Sequence, residues 1–155
     1  MPVDPAAIGR ALPPAPVYEV GREVLRDFAE ATAAGGPVHP AHTDPEAARA
    51  LGHPDVVAPP TFAIVVAQRA EAAFVADPAS GVDFARVVHG EQRLAHHRPI
   101  VAGDRLVARV HVDGVRVMAG NEMITLRSEI TTEGGDPVCT ATSLLVVRAP
   151  AGAPS

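Results

Sequence analysis

The stretch Gly36-Pro37-Val38-His39-Pro40-Ala41-His42 holds two histidines three residues apart between prolines. An imidazole trades its proton near neutral pH, so His42 can act as a base where its loop closes over a substrate. Pro37 has no titratable group and no backbone N–H, and supplies neither acid, base nor donor. His39-x-x-His42 has the spacing of half a metal site, but no Cys or further His or Glu completes it, so no metal is expected. Asp44 and Glu46 are the nearest carboxylates, and their positions suit the capping of a helix. Thr61 and Phe62 open an apolar run, where the free N–H groups and positive end of a helix can hold a carbonyl oxygen. Pro59-Pro60 just before them removes two of those N–H groups. His89, Glu91, His96 and His97 share one strand-like segment, whose alternate members face opposite ways and cannot all line one site. They read as surface or dimer-contact residues. Arg98, Arg105 and Arg109 can meet a phosphate, although a solvated sheet face also accounts for them. Cys139 is the single cysteine and reads as inert core.

The elements that must position these residues follow from periodicity. Val24, Leu25, Phe28 and Ala31 recur at helical spacing between Arg22 and Thr32, and Gly35-Gly36 is a stop signal. Thr43-Asp44-Pro45-Glu46 starts a short helix that ends near Leu51, with Gly52 closing it. Residues 36 to 43 are loop. From Thr61 to Ala76 the chain is apolar nearly all round, with Gln68, Arg69 and Glu71 as polar breaks, which predicts a helix buried on most sides. Four strand-like segments follow, near Ala85 to Arg98, Arg105 to Arg116, Glu122 to Thr132 and Val138 to Val147. Leu106, Ala108, Val110 and Val112 alternate with polar or wet positions, as do Ile124, Leu126 and Ile130. A further strand at Val17 to Val20 joins the sheet. The fold class is α+β: an antiparallel sheet wrapped around a long apolar central helix.

At 155 residues and 47% hydrophobic positions, the chain is sized for one domain with a real core. Residues 1–16, with five prolines, read as an irregular extension, residues 17–148 as the domain, and residues 149–155 as a flexible tail. A formal charge of -5, with no basic run, argues against nucleic acid or an anionic membrane as partner. No signal segment or membrane-length apolar span is visible, and one cysteine cannot form an internal disulfide, which points to the cytoplasm.

The order of a long apolar helix and a four-strand meander resembles the hot-dog fold. The segment HTDPEAARALGHPDVVAPPTF, His42 to Phe62, is similar to the connection between catalytic loop and central helix in MaoC-like, FAS1-like hydratases and dehydratases. HGEQRLAHHRPI with VAGDRL, His89 to Leu106, resembles their first long strand and the turn after it. The chain looks closest to the A-type subunit of actinobacterial (3R)-hydroxyacyl-carrier-protein dehydratase. Active members of that group carry Gly-Asp-x-Asn-Pro-x-His in the loop after the first helix. Syn elimination of water from a 3-hydroxyacyl thioester needs a base for the proton beside the carbonyl, a carboxylate for the departing hydroxyl, and N–H groups on the thioester oxygen. In this chain Gly36, Pro40 and His42 match the motif, while its Asp position is Pro37 and its Asn position is His39. The resemblance implies His42 as the base, and His39, Thr61 and Phe62 as substrate contacts. It implies no cofactor, and an acyl thioester of coenzyme A or acyl carrier protein as ligand. It also implies a subunit that gives structure and an acyl pocket while a homologous hot-dog partner supplies the Asp/His pair. Two alternatives stay open: a self-sufficient homodimeric hydratase or thioesterase using His42, and a non-catalytic acyl-thioester binder.

Overall fold

The computed structural model describes residues 3–149; residues 150–155 of the expected tail lie outside them. The chain forms β1 (Tyr18–Glu19), α1 (Arg22–Thr32), α2 (Pro45–Ala50), α3 (Ala63–Ala76), β2 (Val87–His96), β3 (Arg105–Met118), β4 (Asn121–Thr132) and β5 (Pro137–Val147). Helix α1 turns Leu25 and Ala29 into the core and stops where Ala34 and Gly35 take positive φ, a conformation that costs glycine little. Helix α2 is capped by Asp44, whose Oδ1 accepts from the Glu46 amide at 2.9 Å, with Pro45 at its first position.

The five strands form one antiparallel sheet in the order β1-β3-β4-β5-β2. Only β3, β4 and β5 are a meander. β2 lies at the far edge, paired with β5 from Val87 opposite Val147 to His96 opposite Cys139, so the expected four-strand meander is corrected to three strands and a crossover. Strand periodicity settles which face is dry but says nothing of pairing order, which depends on how the 97–104 segment crosses the fold. That segment runs beside residues 56–58: the Ala58 amide donates to Ile100 O at 2.8 Å, and the Ala102 amide to Val56 O at 2.9 Å.

The alternating positions of β3 and β4 bury as the pattern requires, with Leu106, Ala108, Val110, Val112, Ile124, Leu126 and Ile130 all inside. They close on α3, which buries Ala63, Val66, Ala67, Ala70 and Phe74 along one stripe. One face of the helix stays open. Ala72, Ala73 and Ala76 face outward beside Gln68 and Arg69, and their small size made the sequence read as apolar all round. Glu71, which reads as a polar break, lies inside the fold at 3% exposure.

Residues 3–16 hold one 3-10 turn, Pro5–Ala7, and run along the outer edge of β3. The Gly9, Leu12 and Ala15 amides donate to the Val112, Val110 and Ala108 carbonyls, and the Val112 amide donates to Arg10 O. Val3 ends this strap in the core, its amide donating to Glu122 Oε1 at 2.7 Å.

Candidate functional site

His42 ends a 3-10 turn, Pro40–His42, in the loop after α1. Proline at the first position presets the turn, and His39 caps it, its Nδ1 accepting from the Ala41 amide at 3.2 Å. Arg26 on α1 pins the end of the turn by donating to Thr43 O at 2.8 Å. His42 Nδ1 lies 2.7 Å from the Val57 carbonyl. A carbonyl only accepts, so Nδ1 carries a proton, and whenever the ring is neutral the basic nitrogen is Nε2.

The strand-like segment that offers Val57 O is itself clamped. Asp55 accepts two hydrogen bonds from Arg22, at 2.9 and 2.7 Å, and one from its neighbour, the Val56 amide, at 2.7 Å. The Arg22 guanidinium, together with that amide, holds the Asp55 carboxyl down at about 2 against the opposing effect of its partial burial. Arg22, α1 and the loop base are thereby tied into one unit that sets the height of His42.

A cleft of about 540 Å³ opens here, with His42, His53, His96, His97 and Arg98 on its walls and Val57, Ala58, Pro59, Pro60, Pro99 and Ile100 between them. His96 Nε2 donates to Pro60 O at 2.7 Å, joining the end of β2 to the entry of α3. His97 Nε2 meets Thr140 Oγ1 at 3.0 Å. Arg98 is committed to a two-pronged pair with Asp104, both bonds 2.9 Å, which keeps it protonated and leaves it little to offer a phosphate. No carboxylate lines the cleft among the described residues.

The other residues singled out in the sequence fall elsewhere. Pro37 and His39 are exposed, and the His39 ring stands 6.0 Å from that of His42 without lining the cleft. Thr61 is exposed and also off the cleft wall. Phe62 is wholly buried, edge-on to Phe28 at 5.3 Å and Tyr18 at 6.2 Å, and its amide donates to Pro59 O at 2.9 Å. Phe62 therefore has no free N–H for a ligand oxygen. Glu46 pairs with Arg49, Arg105 with Glu19 and Glu133, and Arg109 is exposed opposite Glu129. Burial pushes the Cys139 thiol up, away from the reactive thiolate. Among the described residues no three His, Cys, Asp or Glu are grouped to hold a metal ion. His96 and His97 are exposed, as the sequence reading had them, and share the cleft with His53, which that reading passed over. A loop histidine eleven residues after His42 was the available signal, and only the crossover at 97–104 brings the three to one cleft.

Comparison with known proteins decides the family: the FAS1-like dehydratase domain region matches residues 6–141. The chain belongs to that family. A UPF0336 protein of Saccharopolyspora erythraea is 56% identical over 154 residues, covering 99% of this chain and 97% of its relative. A chain of the C-terminally truncated HadBC (3R-hydroxyacyl-ACP dehydratase) complex from Mycobacterium tuberculosis superposes with a TM-score of 0.78 at 33% identity, covering 90% of this chain and 96% of the other. A MaoC-like dehydratase gives 0.82 at 33% identity, covering 93% of this chain and 43% of that longer one. The FAS1-like membership and these superpositions make the sheet and central helix a hot-dog fold of the dehydratase and hydratase group. Among the described residues no helix is long and apolar enough to cross a membrane.

Proposed function

We propose that the chain is a subunit of an (R)-3-hydroxyacyl-thioester dehydratase, or enoyl-thioester hydratase working in reverse, that gives structure and acyl binding while a homologous partner chain carries the complete Asp/His pair. The observation that carries this reading is the cleft around His42. It holds a base and three further histidines but no carboxylate, and an exposed proline stands where the related motif has Asp. Elimination of water needs both halves of the acid/base pair, and loss of one typically costs about 10² to 10⁴ in rate. The entry to α3 points the same way. Pro59 and Pro60 carry no N–H, the Phe62 N–H is occupied, and the Pro60 carbonyl is taken by His96. Two-chain assembly has precedent in fold-level relatives, the HadBC complex and the ChsH1-ChsH2 complex of Mycobacterium tuberculosis. The ligand under this reading is an acyl thioester of coenzyme A or acyl carrier protein.

A second reading, a self-sufficient homodimeric hydratase or thioesterase, is favoured by one observation: the Val57 carbonyl fixes His42 in the tautomer a base requires. One assay separates the two. The purified chain, alone and mixed with a homologue bearing the full motif, is given a 3-hydroxyacyl thioester. The partner reading expects little turnover alone, activity in the mixture, and a change of at most a few-fold in the mixture for His42→Ala. Rapid turnover by the lone chain, abolished by His42→Ala, overturns it.

A further inference from the structure

A cavity of about 470 Å³ lies at the β1–β3 side of the fold, on the opposite edge of the sheet from β2, and shares no wall residue with the His42 cleft. Residues 15–19 form one side, Gly21 and Val24 at the start of α1 another, and Val66 and Arg69 of α3 a third. Arg69 is the only cation among the residues that line it. The carbon at the centre of its guanidinium stands 5.1 Å from the centre of the Tyr18 ring. That ring is itself held, edge-on to the wholly buried Phe62 at 6.2 Å, and Phe62 in turn meets Phe28 at 5.3 Å. Arg69 thus ends a row of aromatic contacts that runs from α1 through the entry of α3 to β1. A cation over a ring face is held in place without a counter-charge. Among the described residues Arg69 makes no ion pair and no hydrogen bond, while Glu19 at the same wall is taken by Arg105, and Glu23 on α1 by Arg26.

An arginine positioned in this way presents a fork of N–H donors whose geometry matches a carboxylate. The charge a ligand can carry follows from the neighbours. Arg105 is shared between Glu19 and Glu133, so that wall keeps a net negative charge, which tolerates a monoanion facing Arg69 and works against a dianion. Val17, Val24 and Val66 offer apolar surface to a short hydrocarbon body, and the cavity's size falls in the range of small-molecule sites. We propose that this cavity is a binding site for a small aliphatic monocarboxylate, with its carboxylate paired to Arg69 and its apolar body against the three valines. A neutral molecule of the same shape leaves the guanidinium without its anionic acceptor, and an ammonium meets a like charge. The inference goes beyond the dehydratase reading and stands apart from it, since neither its residues nor its test involve the His42 cleft.

The test is an amide-resolved NMR titration of the full chain with hexanoate at pH 7 and fixed ionic strength, with 1-hexanol and inorganic phosphate as contrasting probes. Saturable shifts are expected at Val17, Tyr18, Val24 and Arg69 with hexanoate, and none there with hexanol or phosphate. Arg69→Gln removes the charge and should weaken hexanoate binding by about tenfold, the equivalent of one charge-assisted hydrogen bond. Arg69 is exposed, so this variant should fold as the parent does. Arg69→Lys keeps the charge without the fork and should bind between the two. Val17→Trp fills the cavity from a half-buried wall position and should abolish the shifts at Val24 and Arg69. Hexanol binding as tightly as hexanoate, phosphate saturating the same amides, equal affinity in Arg69→Gln, shifts confined to the His42 cleft, or no saturable response would each overturn the proposal.

Discussion

Asp55→Asn isolates the clamp beneath the histidine cleft, and its effect has a defined pH signature. The carboxyl sits at about 2 in the folded chain against an ordinary 3.8. At about 1.4 kcal/mol per unit, that depression corresponds to roughly 2.5 kcal/mol of stabilisation before screening. Arg22 is 46% exposed, so solvent reduces the pair to about 1 kcal/mol. A carboxyl whose pKa is lowered on folding stabilises the chain above its unfolded pKa, and that contribution is lost as pH falls toward the folded value. Asparagine keeps the shape and abolishes the charge. At pH 7 the variant should therefore unfold about 2–4 °C lower than the parent. The gap should begin to close below about pH 4, be mostly lost by about pH 2, and vanish only below that, as the parent's own carboxyl becomes neutral. Thermal unfolding of both chains across that range, followed by circular dichroism, reads the difference directly. An equal gap at all pH values, or none at pH 7, would refute the assignment of Asp55 as an ionic clamp.

Three further outcomes follow from features already described. Pro37→Asp returns a carboxylate five residues before His42, and should raise lone-chain hydratase activity only in part, because Pro59 and Pro60 still withhold their N–H groups; a spectrophotometric enoyl-thioester assay measures it. Removal of residues 1–16 uncovers the β3 edge and should convert a defined assembly into larger, polydisperse species by light scattering. The intact chain should scatter as a species heavier than its 16.0 kDa monomer at micromolar concentration, since β2 leaves an unpaired edge.

Much of the fold was legible because its signals are local. The bounds of α1 follow from Leu25 and Phe28 at helical spacing and the glycines after Ala34; the dry faces of β3 and β4 follow from alternation. What stayed hidden depends on contacts distant in sequence. Nothing in residues 85–98 says that they pair with 137–147 rather than with the next strand. Nothing near Gly9 or Leu12 announces hydrogen bonds to residues a hundred positions away. The burial of Glu71 is of the same kind. It became tolerable only when Ser128 and Ser143, from two different strands, arrived at one oxygen. In the cleft, His42 was visible from its motif, whereas His53 and His96 gained their meaning from the crossover, which periodicity cannot see.

The strap along β3 also decides how many neighbours the sheet can have. With β1 and residues 9–15 occupying the outer side of β3 from Leu106 to Val112, the long strand left with a free flank is β2, from Val87 to His96. In the language of polymer chemistry the chain approaches a monofunctional unit: pairing through β2 would join it to one other sheet, and the strap leaves only the 113–118 end of β3 without a described neighbour on its outer side. Growth into a fibre would need a second long free edge, and the strap occupies most of the one that β3 would offer. Under the partner reading proposed above, like and unlike partners would compete for that one edge, and the ratio of self-pairs to mixed pairs would follow relative abundance and the side chains along ten residues of one strand.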